Sequence, residues 1–260
     1  VTTAPVPAEL QHWAEAFRRG NHYDAVYDRA AALALRARNR TMTIVLAAIG
    51  AVSLLLCLVL VVFGGGFTRL LIVLGIFGLV AMLVSLPTIV SVGTRLRRLD
   101  AGEGVFARVS NDGVSFGLVG PIRWSEMVGV IAFDASGRAE TSARIPLIGW
   151  GARLAQRAGN GSRGLTIALR DGTAVQARIR DERERGFVRL WGQRADAVRP
   201  GDISIILDPL LDEPGVRSLT EATIVGATLN GVPVYHPRST PEYLQTLGSL
   251  VDPKWSPSAS

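Results

Sequence analysis

Hydrophobic and polar positions follow two different rhythms along this chain. Met42–Phe63 and Leu70–Val92 are apolar runs without Asp, Glu, Lys, Arg or His. Each exceeds the roughly 20 residues that cross a hydrocarbon core about 30 Å thick. Gly64-Gly65-Gly66-Phe67-Thr68-Arg69 joins them and is too short to hold a domain. The pattern predicts a transmembrane helical hairpin over residues 42–92. Small residues recur on one side of each helix, at Ala47, Gly50, Ser53 and Cys57, and at Gly75, Gly78, Ala81 and Ser85. Such residues let membrane helices approach closely. Antiparallel packing then brings Ala47 near Ser85, and Cys57 near Gly75 or Gly78. Pro87 is expected to kink the second helix.

Ahead of the hairpin, Leu10, Trp13, Ala14 and Phe17 recur at i, i+3, i+4 and i+7. This predicts an amphipathic helix over Ala8–Arg19, ended by Gly20-Asn21. Its apolar stripe suits either the inner leaflet of a membrane or docking on the C-terminal domain. His22–Arg40 lacks Gly and Pro and reads as a second helix running into the first span. Residues 1–41 thus form an N-terminal region of two helices, with Val1–Pro7 read as disordered.

Beyond Gly93 the period shifts to two. Strands are predicted at Val105–Ser110, Val114–Leu118, Ile122–Trp124 and Val128–Phe133, with Asn111-Asp112-Gly113 and Gly120-Pro121 as turns. Leu165–Leu169 and Ala174–Ile179 read as a hairpin about Arg170-Asp171-Gly172-Thr173. Asp181–Arg194 reads as a helix burying Phe187, Leu190, Trp191 and Arg194, and Ile203–Leu207 as a strand. Asp208-Pro209-Leu210-Leu211-Asp212-Glu213 lacks the Gly and alternating carboxylates of a calcium loop and reads as a solvated turn. Ser218-Leu219-Thr220-Glu221 is a capping box for a helix to Leu229, closed by Asn230-Gly231. Val232–His236 is a last strand. A final helix is capped by Thr240, starts at Pro241 and turns Tyr243, Leu244 and Leu247 to the sheet. Residues 251–260 are read as a disordered tail.

The run Asp112-Gly113-Val114, then Gly120-Pro121-Ile122-Arg123-Trp124-Ser125-Glu126-Met127, then an apolar strand, resembles the bacterial PH-like domains of small membrane proteins. Many of those proteins place a two-helix hairpin before the domain. The likeness covers residues 103–134 and loosens beyond them. It implies an α+β membrane protein: a transmembrane hairpin, then a strongly bent seven-stranded PH-like sheet over residues 103–250 with a C-terminal capping helix. It also implies that Trp124 packs in the core. For function it implies a scaffold or adaptor that binds a protein or an anionic lipid through its loops or beside its helix.

Charge sharpens this picture. Net charge is +6, nearly all the cations are arginine, and the chain has one cysteine, Cys57. No disulfide framework or Cys/His metal spacing is present, and no cofactor motif. No basic run interleaves with aromatics as nucleic-acid binding requires. Arg36, Arg38 and Arg40 precede the first span and Arg95, Arg97 and Arg98 follow the second, against Arg69 alone between them. The positive-inside rule then puts both termini in the cytoplasm, at the cell (inner) membrane. Ser136–Arg163 carries five arginines among Ile145, Leu147, Ile148, Trp150 and Leu154. It either touches a membrane interface or packs over the sheet as a flap. The candidate lipid contacts are Arg95, Arg97, Arg98, Arg144, Trp150 and Arg153.

P-loop and HExxH signatures are missing and no GxGxxG stands between a strand and a helix, which argues against common enzyme chemistries. The leading expectation is a non-catalytic membrane scaffold. Its partners are membrane lipids and an unidentified protein, without nucleic acid, and a homo-oligomer is compatible. The alternative is an oligomeric transport-accessory or channel-like subunit. The uncharged spans weaken it, because ion paths carry intramembrane polar groups.

Overall fold

The computed structural model describes residues 6–27, 29–63, 75–76, 104–117, 119–134, 162–180, 182–192, 198–208 and 210–252. Contacts within the chain divide it into two units. One takes in Val1–Arg29, Arg98–Thr141 and Gly161–Ser260, and the other Ala30–Arg97 and Ser142–Asn160. The first 29 residues therefore belong with the residues that follow the apolar region.

In the first unit, a 3-10 turn at Ala8–Leu10 leads into helix α1 (Gln11–Arg18). Its end is a Schellman motif: Gly20 donates to Phe17 O at 2.9 Å and Asn21 to Ala16 O at 3.0 Å. Gly20 takes φ +80°, where a Cβ would be strained. Strand β1 (Tyr23–Val26) follows. The chain returns as β2 (Val105–Val109), β3 (Gly113–Phe116) and β4 (Val119–Arg123). These four form one antiparallel sheet in the order β1-β2-β3-β4.

A 3-10 turn at Trp124–Glu126 swings the chain into β5 (Met127–Asp134). Then come β6 (Arg163–Leu169), α3 (Gly172–Ala177), a 3-10 stretch at Glu182–Phe187, β7 (Arg189–Leu190) and β8 (Gly201–Ile206). The label α2 is kept for the apolar helix of the second unit. Helix α4 (Glu213–Leu229), strand β9 (Val234–Tyr235) and helix α5 (Thr240–Val251) complete the unit. The second sheet has the order β7-β8-β6-β5-β9, and β9 alone runs parallel to its neighbour, β5.

Alternation along the strands builds the core. Val109, Ile122, Val130, Ile167 and Ile203 are fully buried, together with Leu219 of α4. Helix α4 packs against α1, β1, β2 and β5, whereas α5 packs on β5 and β6. The expected core role of Trp124 holds. It is buried, donates from Nε1 to Ser110 O at 3.1 Å, and lies on Gly226 of α4 so closely that a Cβ there would strike its ring. Of the two homes expected for the stripe of α1, the structure has the docked one. Ala14 and Phe17 are buried, and Trp13 donates to Glu221 of α4 at 3.3 Å.

Several expectations are corrected. Residues 23–26 form a strand rather than the start of a second helix, because their ladder partner is Val105–Val109, far along the sequence. The expected strand at Ala174–Ile179 is instead α3 and its exit. Asp171 does not open a hairpin turn; it caps the helix by accepting from Ala174 N at 2.9 Å. Asp181–Arg194 is not one helix, since it gives way to β7 at Arg189. Helix α4 starts five residues before the expected capping box, with Asp212 as its cap. Its predicted end is correct: Gly231, at φ +71°, and Val232 close it by donating to Thr228 and Ala227. Ser239 rather than Thr240 caps α5, and Leu244 is exposed instead of facing the sheet.

In the second unit, α2 (Arg29–Phe63) contains Ala37–Val59, 23 residues long and apolar enough to cross a membrane. At about 1.5 Å per residue that span is about 35 Å. One stripe is covered: Asn39, Leu46 and Gly50 are buried, and Ser53 and Cys57 half-buried. Ala47, expected on this side, is exposed, and Leu46 takes its place. Residues 75–76 are helical. A Cβ added to Gly75 would meet Cys57 Sγ and stand 3.9 Å from its Cβ and 3.7 Å from Ser53 O, so the expected neighbourhood of Cys57 and Gly75 exists. The remainder of the second run, the loop 64–69, most of 136–163 and the tail from 253 lie outside the described residues.

Candidate functional site

All six residues put forward for lipid contact, Arg95, Arg97, Arg98, Arg144, Trp150 and Arg153, lie outside the described residues. Two polar clusters stand out in the first unit among the described residues.

The first is at the outer edge of β4. Burial of Trp124 fixes the 3-10 turn, which turns Arg123 to solvent and brings Glu126 back over the strand end. The Glu126 carboxylate accepts from Arg123 N at 2.9 Å. Arg178, at the end of α3, donates to both carboxylate oxygens, and its Nη1 also donates to Pro121 O at 3.3 Å. Arg170 joins through the main chain, donating from N to Glu126 O at 2.9 Å as the β5–β6 ladder runs out. The Arg178 guanidinium holds the Glu126 carboxyl below its ordinary value, and Glu126 in turn raises Arg178. The pair is therefore ionised at neutral pH.

This pair satisfies outward-facing main-chain groups of an edge strand. Unpaired edges invite pairing with other chains, and here a side-chain ion pair and a proline occupy the edge. Beside the pair, Arg123 and Arg170 are exposed and hold no ion pair among the described residues. The nearest acids are already in use or few: Glu126 is bonded to Arg178, Asp171 caps α3, and Asp112 precedes the residue opposite Arg123. Free guanidiniums of this kind bind carboxylate or phosphate oxygens.

The second cluster surrounds Asp202 on β8, which is 1% exposed. Its carboxylate accepts from Arg189 Nε at 2.8 Å and Nη2 at 3.2 Å, from Trp191 Nε1 at 2.6 Å and from Ser204 Oγ at 2.8 Å. The Ser204 and Thr166 hydroxyls lie 3.0 Å apart, and Thr166 lies 3.0 Å from Tyr243 Oη on α5. Four donors fill the roughly four lone-pair positions of a carboxylate. Asp202 therefore has no free lone pair with which to hold a metal. The network ties β7, β8, β6 and α5 together.

The acidic run at 208–213 lies in a turn as expected, with Asp212 and Glu213 exposed, and its carboxylates are used within the fold. Asp208 accepts from Ser162 N at 2.6 Å and Arg163 N at 2.9 Å, Asp212 caps α4 by accepting from Gly215 N at 2.9 Å, and Glu213 pairs with Arg163 at 2.6 Å. Among the described residues no group of His, Cys, Asp and Glu side chains could hold a metal ion.

Sequence reasoning missed the arginine edge. It singled out Trp124 as a core residue, gave Glu126 no partner and placed Arg178 on a strand. The legible signal was Glu126 three residues after Arg123, the spacing of a reciprocal cap. The chain matches no protein-family model, no curated protein and no solved structure.

Proposed function

We propose that the chain is a two-pass membrane protein that holds a PH-like folded unit at the cytoplasmic face of the cell membrane, where the unit serves as a non-catalytic scaffold or adaptor. The pairing of β1 with β2 carries this reading. Tyr23 lies opposite Val109 and Val26 opposite Val105, and Tyr27 N donates to Gly104 O at 3.2 Å. The segment from 28 to 103 thus leaves the folded unit and rejoins it at one place. Whatever membrane it enters, it must cross an even number of times.

Helix α2 supplies one crossing, and its exposed apolar residues, such as Val52 at 64% and Leu55 at 66%, favour lipid around it. Leu70–Val92 is the only other uncharged run of sufficient length in the sequence. The flanking arginines then favour the cytoplasm for the folded unit. The PH-like reading draws on the antiparallel order β1-β2-β3-β4, on the β5-β6-β8 meander, and on α4, which packs against strands of both sheets. The C-terminal capping helix that the resemblance implies corresponds to α5, which follows β9 and packs on β5 and β6.

Topology is the test. In a Cys57→Ser background, single cysteines at Thr3, Gly65 and Ser258 are labelled with a membrane-impermeant maleimide in intact cells. Gly65→Cys should label directly, and Thr3→Cys and Ser258→Cys only after permeabilisation. Labelling of Gly65→Cys and Ser258→Cys from the same side would overturn the two-pass reading.

A further inference from the structure

We propose that the arginine edge formed by Arg123, Arg170 and Arg178 is the docking surface of the scaffold and that its partner is an acidic polypeptide segment. This rests on the scaffold reading and names the class of partner it serves.

Three observations select an acidic peptide. The edge already grips one carboxylate, because both Arg178 terminal nitrogens bond Glu126. That pair is an intramolecular sample of the contact that Arg123 and Arg170 can offer outward. Second, the outward main-chain groups at Pro121 and Arg123 are taken by Arg178 and Glu126. A ligand running along β4 is therefore held by its side-chain charges and not by adding a strand.

Third, register separates this edge from the chain's exits toward the apolar helices. Val26 and Val105 mark the exit end of the four-stranded sheet, and Phe116 pairs with Val119 in the turn between β3 and β4. Arg123 pairs with Gly113 at the other end, one residue beyond the level of the Tyr23–Val109 pair. Four residues of strand separate the two ends, about 14 Å at roughly 3.4 Å per residue. Within the folded unit, the exits at Val26 and Val105 thus leave the exposed Arg123 at the opposite end of the sheet, open to a soluble acidic chain. Arginine forks recognise planar carboxylates bidentately, and exposed charges of one sign speed the encounter.

The experiment uses the full chain in neutral-lipid nanodiscs and a fluorescein-labelled oligoglutamate peptide, followed by anisotropy. Binding should weaken about tenfold in Arg123→Glu/Arg170→Glu, equivalent to about 1.4 kcal/mol. The control Arg19→Glu/Arg217→Glu changes net charge equally on exposed helical sites and should bind like wild type. Three results would overturn the proposal: no binding by wild type, equal loss in the control pair, or association with anionic-lipid vesicles abolished by the Arg123/Arg170 pair while oligoglutamate binding is not. Cysteine labelling of the same nanodisc-competent protein in cells reports topology separately, so a failed docking surface and a failed two-pass anchor give different results.

Discussion

Asp24 and Arg108 face each other across the β1–β2 ladder although 84 positions separate them in sequence. Arg108 Nε donates to Oδ1 at 2.6 Å and Nη2 to Oδ2 at 2.7 Å. The bond from Arg108 holds the Asp24 carboxyl below its ordinary 3.8. A carboxyl lowered in the folded state binds fewer protons there than in the unfolded chain. Its stabilisation is complete above the ordinary value and fades as pH falls through it toward the lowered folded value. Glu126, lowered by Arg178 from 4.5, adds in the same direction. Melting followed from neutral pH down to about pH 3 should show stability falling with acid, and Asp24→Asn should flatten the acid limb. An unchanged acid limb in that variant would remove the pair from the account.

Gly226 lies where the Trp124 ring crosses α4. A Cβ at this position would fall 3.0 Å from one ring carbon and 3.3 Å from another, with a third closer still. The ring is fixed by its bond to Ser110 O and cannot swing aside. Gly226→Ala should cost roughly 1–3 kcal/mol through overpacking, despite the better helix propensity of Ala. Denaturant titration of the purified chain measures it, and a neutral or stabilising result would mean that Trp124 is free to shift.

Cys57 and Gly75 should crosslink. The 3.9 Å between Cys57 Cβ and a Cβ built on Gly75 lies in the range of about 3.5–4.5 Å that disulfides span. Oxidised Gly75→Cys should lose both thiols and two mass units per chain without forming dimers. Crosslinking between chains instead would put this contact at an oligomer seam.

Asp202→Ala should destabilise the fold by about 2 kcal/mol, because it strands the half-buried Trp191 N–H, whereas the Ser204 hydroxyl keeps Thr166 Oγ1 at 3.0 Å. Arg189 is 55% exposed at its side chain and can return to water, which keeps the loss below that of a fully buried pair. A double-mutant cycle with Arg189→Ala reads the pair separately. A coupling near zero would leave Trp191 as the partner that matters.

Local signals in the sequence located those parts of the fold whose cause is local. Gly20 and Gly231 end α1 and α4 where expected, and the alternation of β5, β6 and β8 marks them as strands. The misplaced elements are those settled by partners distant in sequence. Tyr23-Asp24-Ala25-Val26 sits between helical segments, and only Val105–Val109 makes it a strand. Asp171-Gly172 fits a hairpin turn and a helix cap equally well; the cap prevails because α3 returns Arg178 to Glu126. The arginine edge was hidden for the same reason. Its members come from β4, from the end of β6 and from α3, and no short window of sequence contains them together.

Synthesis order gives the β1–β2 ladder a further meaning. The ribosome makes Asp24 before either apolar run and Arg108 after both, so at roughly 5–20 residues per second the strand waits on the order of ten seconds for its partner. During that interval Phe17 and Ala14 have no α4 to cover them. In the anchored reading both apolar runs reach the lipid before the first sheet closes, and the ladder can form only after the hairpin has returned to its starting side. The finished sheet is then a record of correct insertion: a chain that crossed once would carry β1 and β2 on opposite sides of the membrane and could not fold.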